Sequence, residues 1–184
     1  MRIRVRMRIR VHSEIPSSLS NMRVIGIDPG LATIGIGVID AISPDAFVSP
    51  SWLTIETASG IPTSERLKEI HDDLLEVLRE MKPALAVVER IFFAVNERTV
   101  IDVAQARGVI LLTLAEQGIP VLEPSPLELK RAITGDGSAD KRQMQDMLVR
   151  MLHLPAPPKP DDAADALALA IFGALSSRTN SLIA

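Results

Sequence analysis

Residues 24–39 read V-I-G-I-D-P-G-L-A-T-I-G-I-G-V-I. Val24 to Asp28 is a short apolar run ending in a carboxylate, Pro29-Gly30 supplies a turn, and Thr33 to Asp40 is apolar again. Two such runs joined through a turn predict an antiparallel hairpin. Ser51 to Thr57 alternates after a Pro/Ser-rich turn and predicts a third strand.

Further along, strands and helices alternate. Leu67, Ile70, Leu74, Leu75 and Leu78 stand at helical spacing. They predict a helix from Thr63, read as its cap, to Met81, stopped by Lys82-Pro83. Ala84 to Glu89 is a continuous apolar run too short for a helix, as expected of a strand covered on both faces. A second helix is expected from Glu97 to Gln117, closed by Gly118, and a fifth strand from Ile119 to Glu123. Two more helices, Ala139 to Leu152 and Asp162 to Leu175, flank the connection L-P-A-P-P-K-P. The fold class is therefore α/β: a five-stranded mixed sheet with helices on both faces.

The chain has 184 residues, 47% of them hydrophobic, which suits one domain with a sizeable core. It has no cysteine, which excludes disulfides and thiolate zinc sites. No apolar stretch approaches the roughly 20 residues of a membrane span, and residues 1–21 lack the apolar block of a signal peptide. The expectation is a cytoplasmic protein with no membrane partner.

Net charge is −3, unevenly spread. Residues 22–89 carry 5 basic and 11 acidic side chains, residues 90–159 carry 9 and 8, and residues 160–184 carry 1 and 3. The middle segment is the one suited to face phosphates. Residues 1–21 hold five Arg and one Glu, with cationic and apolar residues alternating from Met1 to His12. This stretch is read as a basic extension outside the domain, disordered or artefactual, and is assigned no function. Met22 immediately precedes the first strand. Residues 22–175 form the expected domain and 176–184 a tail.

Four carboxylates carry the chemistry: Asp28, Glu89, Asp162 and Asp165. Asp before Pro-Gly is an ordinary turn residue, yet that turn also gives Asp28 the exposure a ligand needs. An ionised Glu89 after four apolar residues costs several kcal/mol unless paired or metal-bound. Arg90 points to the opposite strand face and does not serve. Acids in a first helical turn are common dipole complements, and Asp161 or Asp162 is the expected cap. Asp165, however, shares a face with Leu169 and Phe172 at i+4 and i+7, which should turn it toward the sheet. Brought together, these groups suit a divalent-metal site.

The segments V-I-G-I-D-P-G-L-A-T-I-G-I-G-V-I, V-V-E-R-I-F-F, A-Q-A-R-G-V, G-S-A-D-K and D-D-A-A-D-A-L-A-L-A, in that order, resemble the RuvC family of Holliday junction resolvases, within the ribonuclease H-like superfamily. The resemblance runs from Met22 to about Leu175. It implies a ribonuclease H-like fold and a crossover junction endodeoxyribonuclease that leaves 5′-phosphate products in DNA recombination and repair. It implies Asp28, Glu89, Asp162 and Asp165 as ligands of two Mg²⁺ or Mn²⁺ ions per site, about 3.5 to 4 Å apart, for phosphodiester hydrolysis. Lys130 and Lys141 align with family lysines near the scissile phosphate, where they offset developing charge.

The family's junction-splaying aromatic maps to Phe92, next to Phe93, and such a ring can stack on or wedge between bases. Arg98, Lys130, Arg131, Lys141 and Arg142 join the implied DNA-facing set. Relatives often carry a basic residue where this chain has Val95. Arg107 is read as a dimer or structural residue. Symmetric incision of a four-way junction calls for a homodimer, which the resemblance places on the Glu97 to Gln117 helix. It also implies work with a RuvA and RuvB branch-migration machine. The rival readings are a catalytically silent nucleic-acid-binding module of the same fold and an actin-like ATPase, which needs a second lobe.

Overall fold

The structure, a computed structural model, describes residues 22–43, 46–91 and 100–181. The basic extension 1–21, the aromatic pair Phe92-Phe93 and Arg98 lie outside the described residues. Strands β1 (Met22–Asp28) and β2 (Thr33–Ser43) form the expected hairpin, with Gly26 opposite Gly37 and Asp28 opposite Gly35. Strand β3 (Ala46–Glu56) continues it antiparallel, while β4 (Leu85–Val88) and β5 (Val121–Leu122) add in parallel on the other side of β1. The order is β3-β2-β1-β4-β5, so β1 is the central strand.

The helices are α1 (Thr63–Met81), α2 (Val100–Glu116), α3 (Pro126–Thr134), α4 (Lys141–Met151) and α5 (Asp161–Ser181). Period-two alternation splits the core. Ile25 and Ile27 of β1, with Ala86 and Val88 of β4, pack on α1 and α2 through Ile70, Leu74, Ile110 and Leu114. Val24 of β1, with Leu85 and Val87 of β4, packs on α3, α4 and α5 through Leu129, Leu148, Leu167 and Ile171. Among the described residues no helix is long and apolar enough to cross a membrane.

Several elements differ from the sequence expectations, and the following differences have local reasons. Strand β3 begins at Ala46 and runs through Pro50, which is tolerated because β3 is an edge strand with a free N–H side. Thr63 is not the cap of α1. Pro62 takes that position without a side-chain hydrogen bond, and Thr63 is the first helical residue. Helix α5 opens at Asp161 rather than taking it as a cap, and runs past Leu175 to Ser181. Helix α3 was not expected at all. Its start carries a capping box: Ser125 Oγ accepts from the Glu128 amide at 3.3 Å while Glu128 Oε2 accepts from the Ser125 amide at 2.8 Å.

Arg23 ties the frame together. Its Nε and Nη2 donate to the two carboxylate oxygens of Asp40 at 2.7 and 2.9 Å, and its Nη1 to the Met81 carbonyl at 2.9 Å. Asp40 is only 3% exposed, so this bidentate pair satisfies a charge that burial would otherwise penalise.

Helix α5 lies directly on β1 and β2, and glycine makes that possible. A Cβ on Gly26 would sit 2.0 Å from the Ala166 carbonyl oxygen, one on Gly35 2.0 Å from that of Asp162, and one on Gly37 2.5 Å from the Leu167 nitrogen. The helix answers with Ala163, Ala164, Ala166, Ala168 and Ala170, all buried. The opposing atoms are backbone and cannot rotate aside. Gly26→Ala should therefore cost about 3 kcal/mol or more, read as a lowered urea midpoint. Gly35→Ala should in addition shift the first turn of α5.

Candidate active site

Register and alternation bring the first two carboxylates together. Ile27 pairs with Val88 on the parallel neighbour, so Asp28 and Glu89 are the next residues off two adjacent strand ends. Val24 and Gly26 face α5, and so therefore does Asp28. Leu85 and Val87 face the same way, which carries Glu89 to that side. The glycine floor sets α5 down there, and Asp165 on its second turn completes the group.

Asp28, Glu89 and Asp165 line one cleft of about 230 Å³, together with Lys130 and Lys141. Its apolar wall is made by Leu129, Met144, Ala168 and Leu169. The loop leaving Asp28 is fixed from behind. Thr57 donates its hydroxyl to the Leu31 carbonyl at 2.6 Å and its amide to the Ala32 carbonyl at 3.1 Å, and accepts from Arg66 Nε at 2.8 Å.

Each lysine is placed by a capped helix. Lys130 rides on α3 behind the Ser125 capping box. Lys141 is the first residue of α4, whose cap Asp140 accepts from the Gln143 amide at 2.8 Å while Gln143 returns the bond to the Asp140 amide. The Lys141 ammonium lies 3.1 Å from Asp161 and 3.7 Å from Asp165. Asp161, which sequence reasoning treated only as a cap, thus anchors the lysine.

The electrostatics are those of an overloaded anionic site. Burial, followed by the charges of Asp165, Glu89 and Asp162, pushes the Asp28 carboxyl up to about 8, with Lys141 opposing. Burial and Asp165 likewise raise Glu89 against the pull of Lys130. Asp165 is raised by burial, and Lys141 partly offsets the effect. Burial pulls the Lys141 ammonium down, but its bonds to Asp161 and Asp165 lift it net above the ordinary lysine value. Asp161 is held below its usual range by that lysine.

The four expected ligands do not stand equally. Asp162 adds charge felt by Asp28 but does not line the cleft, and its backbone is pressed against Gly35. Among the described residues no three His, Cys, Asp or Glu side chains are arranged to hold an ion as they stand. Asp161 and Asp165 turn instead to the Lys141 ammonium. The donor set nevertheless fits a hard divalent cation: three carboxylates facing one cleft, with no histidine or cysteine lining it.

Arg131 and Arg142 are exposed and do not line the cleft. Arg107, read from sequence as a dimer or structural residue, reaches the site from behind: its Nε donates to the Glu89 carbonyl at 3.0 Å, and its Nη2 pairs with Glu123. The motif A-Q-A-R-G offered no sign of that contact.

Comparison with known proteins agrees with this architecture. The family model described as crossover junction endodeoxyribonuclease RuvC matches residues 24–173. A protein of that name from Synechococcus sp. is 47% identical over 152 residues, covering 83% of this chain and 97% of the relative. One from Thermotoga petrophila is 45% identical over 157 residues, covering 85% and 94%. Among solved structures, T. thermophilus RuvC in complex with Holliday junction substrate superposes with a TM-score of 0.81 at 33% identity, covering 87% of this chain and 97% of that one. With the fold and nearly the full length of these relatives in common, the chain belongs to the RuvC family of crossover junction endodeoxyribonucleases.

Proposed function

We propose that this cleft cuts DNA four-way junctions by metal-dependent phosphodiester hydrolysis, with Asp28, Glu89 and Asp165 as the principal ligands and Asp162 as a further one. The observation that carries the reading is the convergence of three carboxylates, from two adjacent strand ends and one helix, on a cleft that also holds two lysines. The relative with 33% identity was solved with a Holliday junction substrate, which supports the same substrate here.

Family membership brings divalent-metal dependence. Two Mg²⁺ or Mn²⁺ ions are the specific proposal, supplying an activated water and charge stabilisation at the leaving oxygen. The chain's own residues do the rest. Asp28, whose carboxyl is raised by burial and the neighbouring acids, would release its proton to serve as a ligand. Lys141, now bonded to Asp161 and Asp165, and Lys130, close to Glu89, supply fixed positive charge for the phosphate as negative charge builds on it. Leu129 and Leu169 keep water from one wall. Phe92 and Phe93 are assigned the base-facing role, and Arg98, Arg131 and Arg142 the backbone contacts.

A second copy is proposed on α2. Ile101 and Leu112 are 65% and 57% exposed, and Ala104, Gly108 and Ala115 share that exposed side. A Cβ on Gly108 would meet nothing within 4 Å, so another helix can approach closely there. Ile110 and Leu114 of the same helix belong to the core, which leaves Ile101 and Leu112 as the outward stripe. An isologous pair would carry the two cleft sites that two incisions require.

Three outcomes are expected. Incubated with a synthetic four-way junction and a linear duplex, with and without Mg²⁺ or Mn²⁺, the protein should nick the junction symmetrically in two strands only when metal is present. Asp28→Asn should abolish cutting and keep binding; mapped cuts on the duplex alone would reject the assignment. The second outcome concerns protons. Raised carboxyl pKa values mean the folded protein holds more protons than the unfolded chain between the ordinary carboxyl range and about 8. Metal-free protein should therefore melt lower as pH rises from about 5 to about 8.5, with Asp28→Asn flattening that slope and melting higher at the alkaline end. Third, Ile101→Glu with Leu112→Glu should convert a dimer to a folded monomer by light scattering and replace paired cuts with single nicks.

A further inference from the structure

Glu89 stands where the sheet no longer holds it. The ladder of β4 ends at Val88, paired with Ile27, and its last bond to β5 is at Val87 opposite Leu122. Just beyond Glu89 the Arg90 amide donates to the Pro124 carbonyl at 2.9 Å. The Glu89 carbonyl accepts from Arg107 Nε at 3.0 Å. The Arg107 side chain is only 16% exposed, and its other nitrogen, Nη2, is engaged by Glu123, next to the end of β5. One guanidinium thus bridges helix α2, the end of β4 and the end of β5. It touches the backbone of Glu89, not the carboxylate, so it acts on where that carboxylate points.

We propose that Arg107, oriented by Glu123, is the positioning residue for Glu89, fixing the metal-facing carboxylate through its own peptide group. The proposal rests on the reading of the cleft as a metal-dependent nuclease site. A bidentate, planar cation is suited to this task, because one hydrogen bond sets its angle and the other applies it. The residue also sits beside Gly108, in the helix assigned to the second copy, so the helix that pairs two chains is the one that holds each chain's Glu89 in place.

The test compares wild type with Arg107→Gln, Arg107→Lys and Glu123→Gln by two readouts. The first is the single-turnover junction-cutting rate against Mn²⁺ concentration. The second, without DNA, is the upward shift in melting temperature that Mn²⁺ produces. Outer partners of metal ligands commonly contribute roughly 10- to 100-fold in affinity or activity. Arg107→Gln should therefore cut roughly that much more slowly at low Mn²⁺, recover in part as Mn²⁺ is raised, and show a smaller melting shift. Junction affinity should stay within about two-fold, since no DNA contact is removed. Arg107→Lys should fall between. Should Arg107→Gln fail to fold, Glu123→Gln carries the test, with a weaker effect of the same kind. An unchanged Mn²⁺ requirement in folded variants would overturn the proposal, as would a lost rate matched by an equal loss of junction affinity. A wild type that leaves junctions intact but shows an Mn²⁺ shift reduced by Arg107→Gln would sink the nuclease reading and keep the positioning role.

Discussion

The backbone-to-backbone approach of α5 to β1 and β2 is the constraint on which the site depends. Gly26, Gly35 and Gly37 remove the side chains that would hold the helix off, and the alanines of α5 remove those on the other side. An extra methyl on either surface would lift the helix, and with it Asp165, away from the strand ends. The geometry of the cleft is thus set by what the sequence omits as much as by the acids it contains. Packing of this closeness is also rigid, because interiors at this density have few voids into which to relax.

The same closeness concentrates charge. Asp28, Glu89 and Asp165 gather at the sheet ends, where burial raises the proton affinity of all three and the charge of Asp165 adds to it at Asp28 and Glu89. Lys141 tempers this from the exposed rim, anchored on Asp161, and Lys130 does so near Glu89. Without such cations the cluster opposes folding. With a divalent ion bound as proposed it would contribute to folding instead, so that function and stability would draw on one set of carboxylates.

Much of this was legible in the chain. The V-I-G-I-D-P-G run gave the hairpin and the position of Asp28. A-V-V-E gave an interior strand with Glu89 just past its end, and the i+4 and i+7 partners of Asp165 gave its inward face. Helix α3 escaped because nine residues are too few to display a sustained helical period, although Ser125-Pro126 with Glu128 is a legible start signal. Asp162 was legible only as half of an i to i+3 pair, and pairing says nothing about how its backbone is pinned on Gly35. Arg107 was illegible for a different reason: its partner is a main-chain carbonyl, and no side-chain pattern reports one.

The sheet edges have a consequence for assembly. On one side β5 has two residues. On the other, β3 contains Pro50 and pairs with β2 through two register shifts, between Val38 and Asp40 and between Ala41 and Ser43. Neither margin offers a long, regular row of free donors and acceptors, so chain-to-chain strand addition, the usual route from a bare edge to open-ended polymers, has little to start from. Any association between chains is thereby steered away from growth along the sheet and toward the helical faces, where the two-fold pairing proposed on α2 would close on itself after one partner.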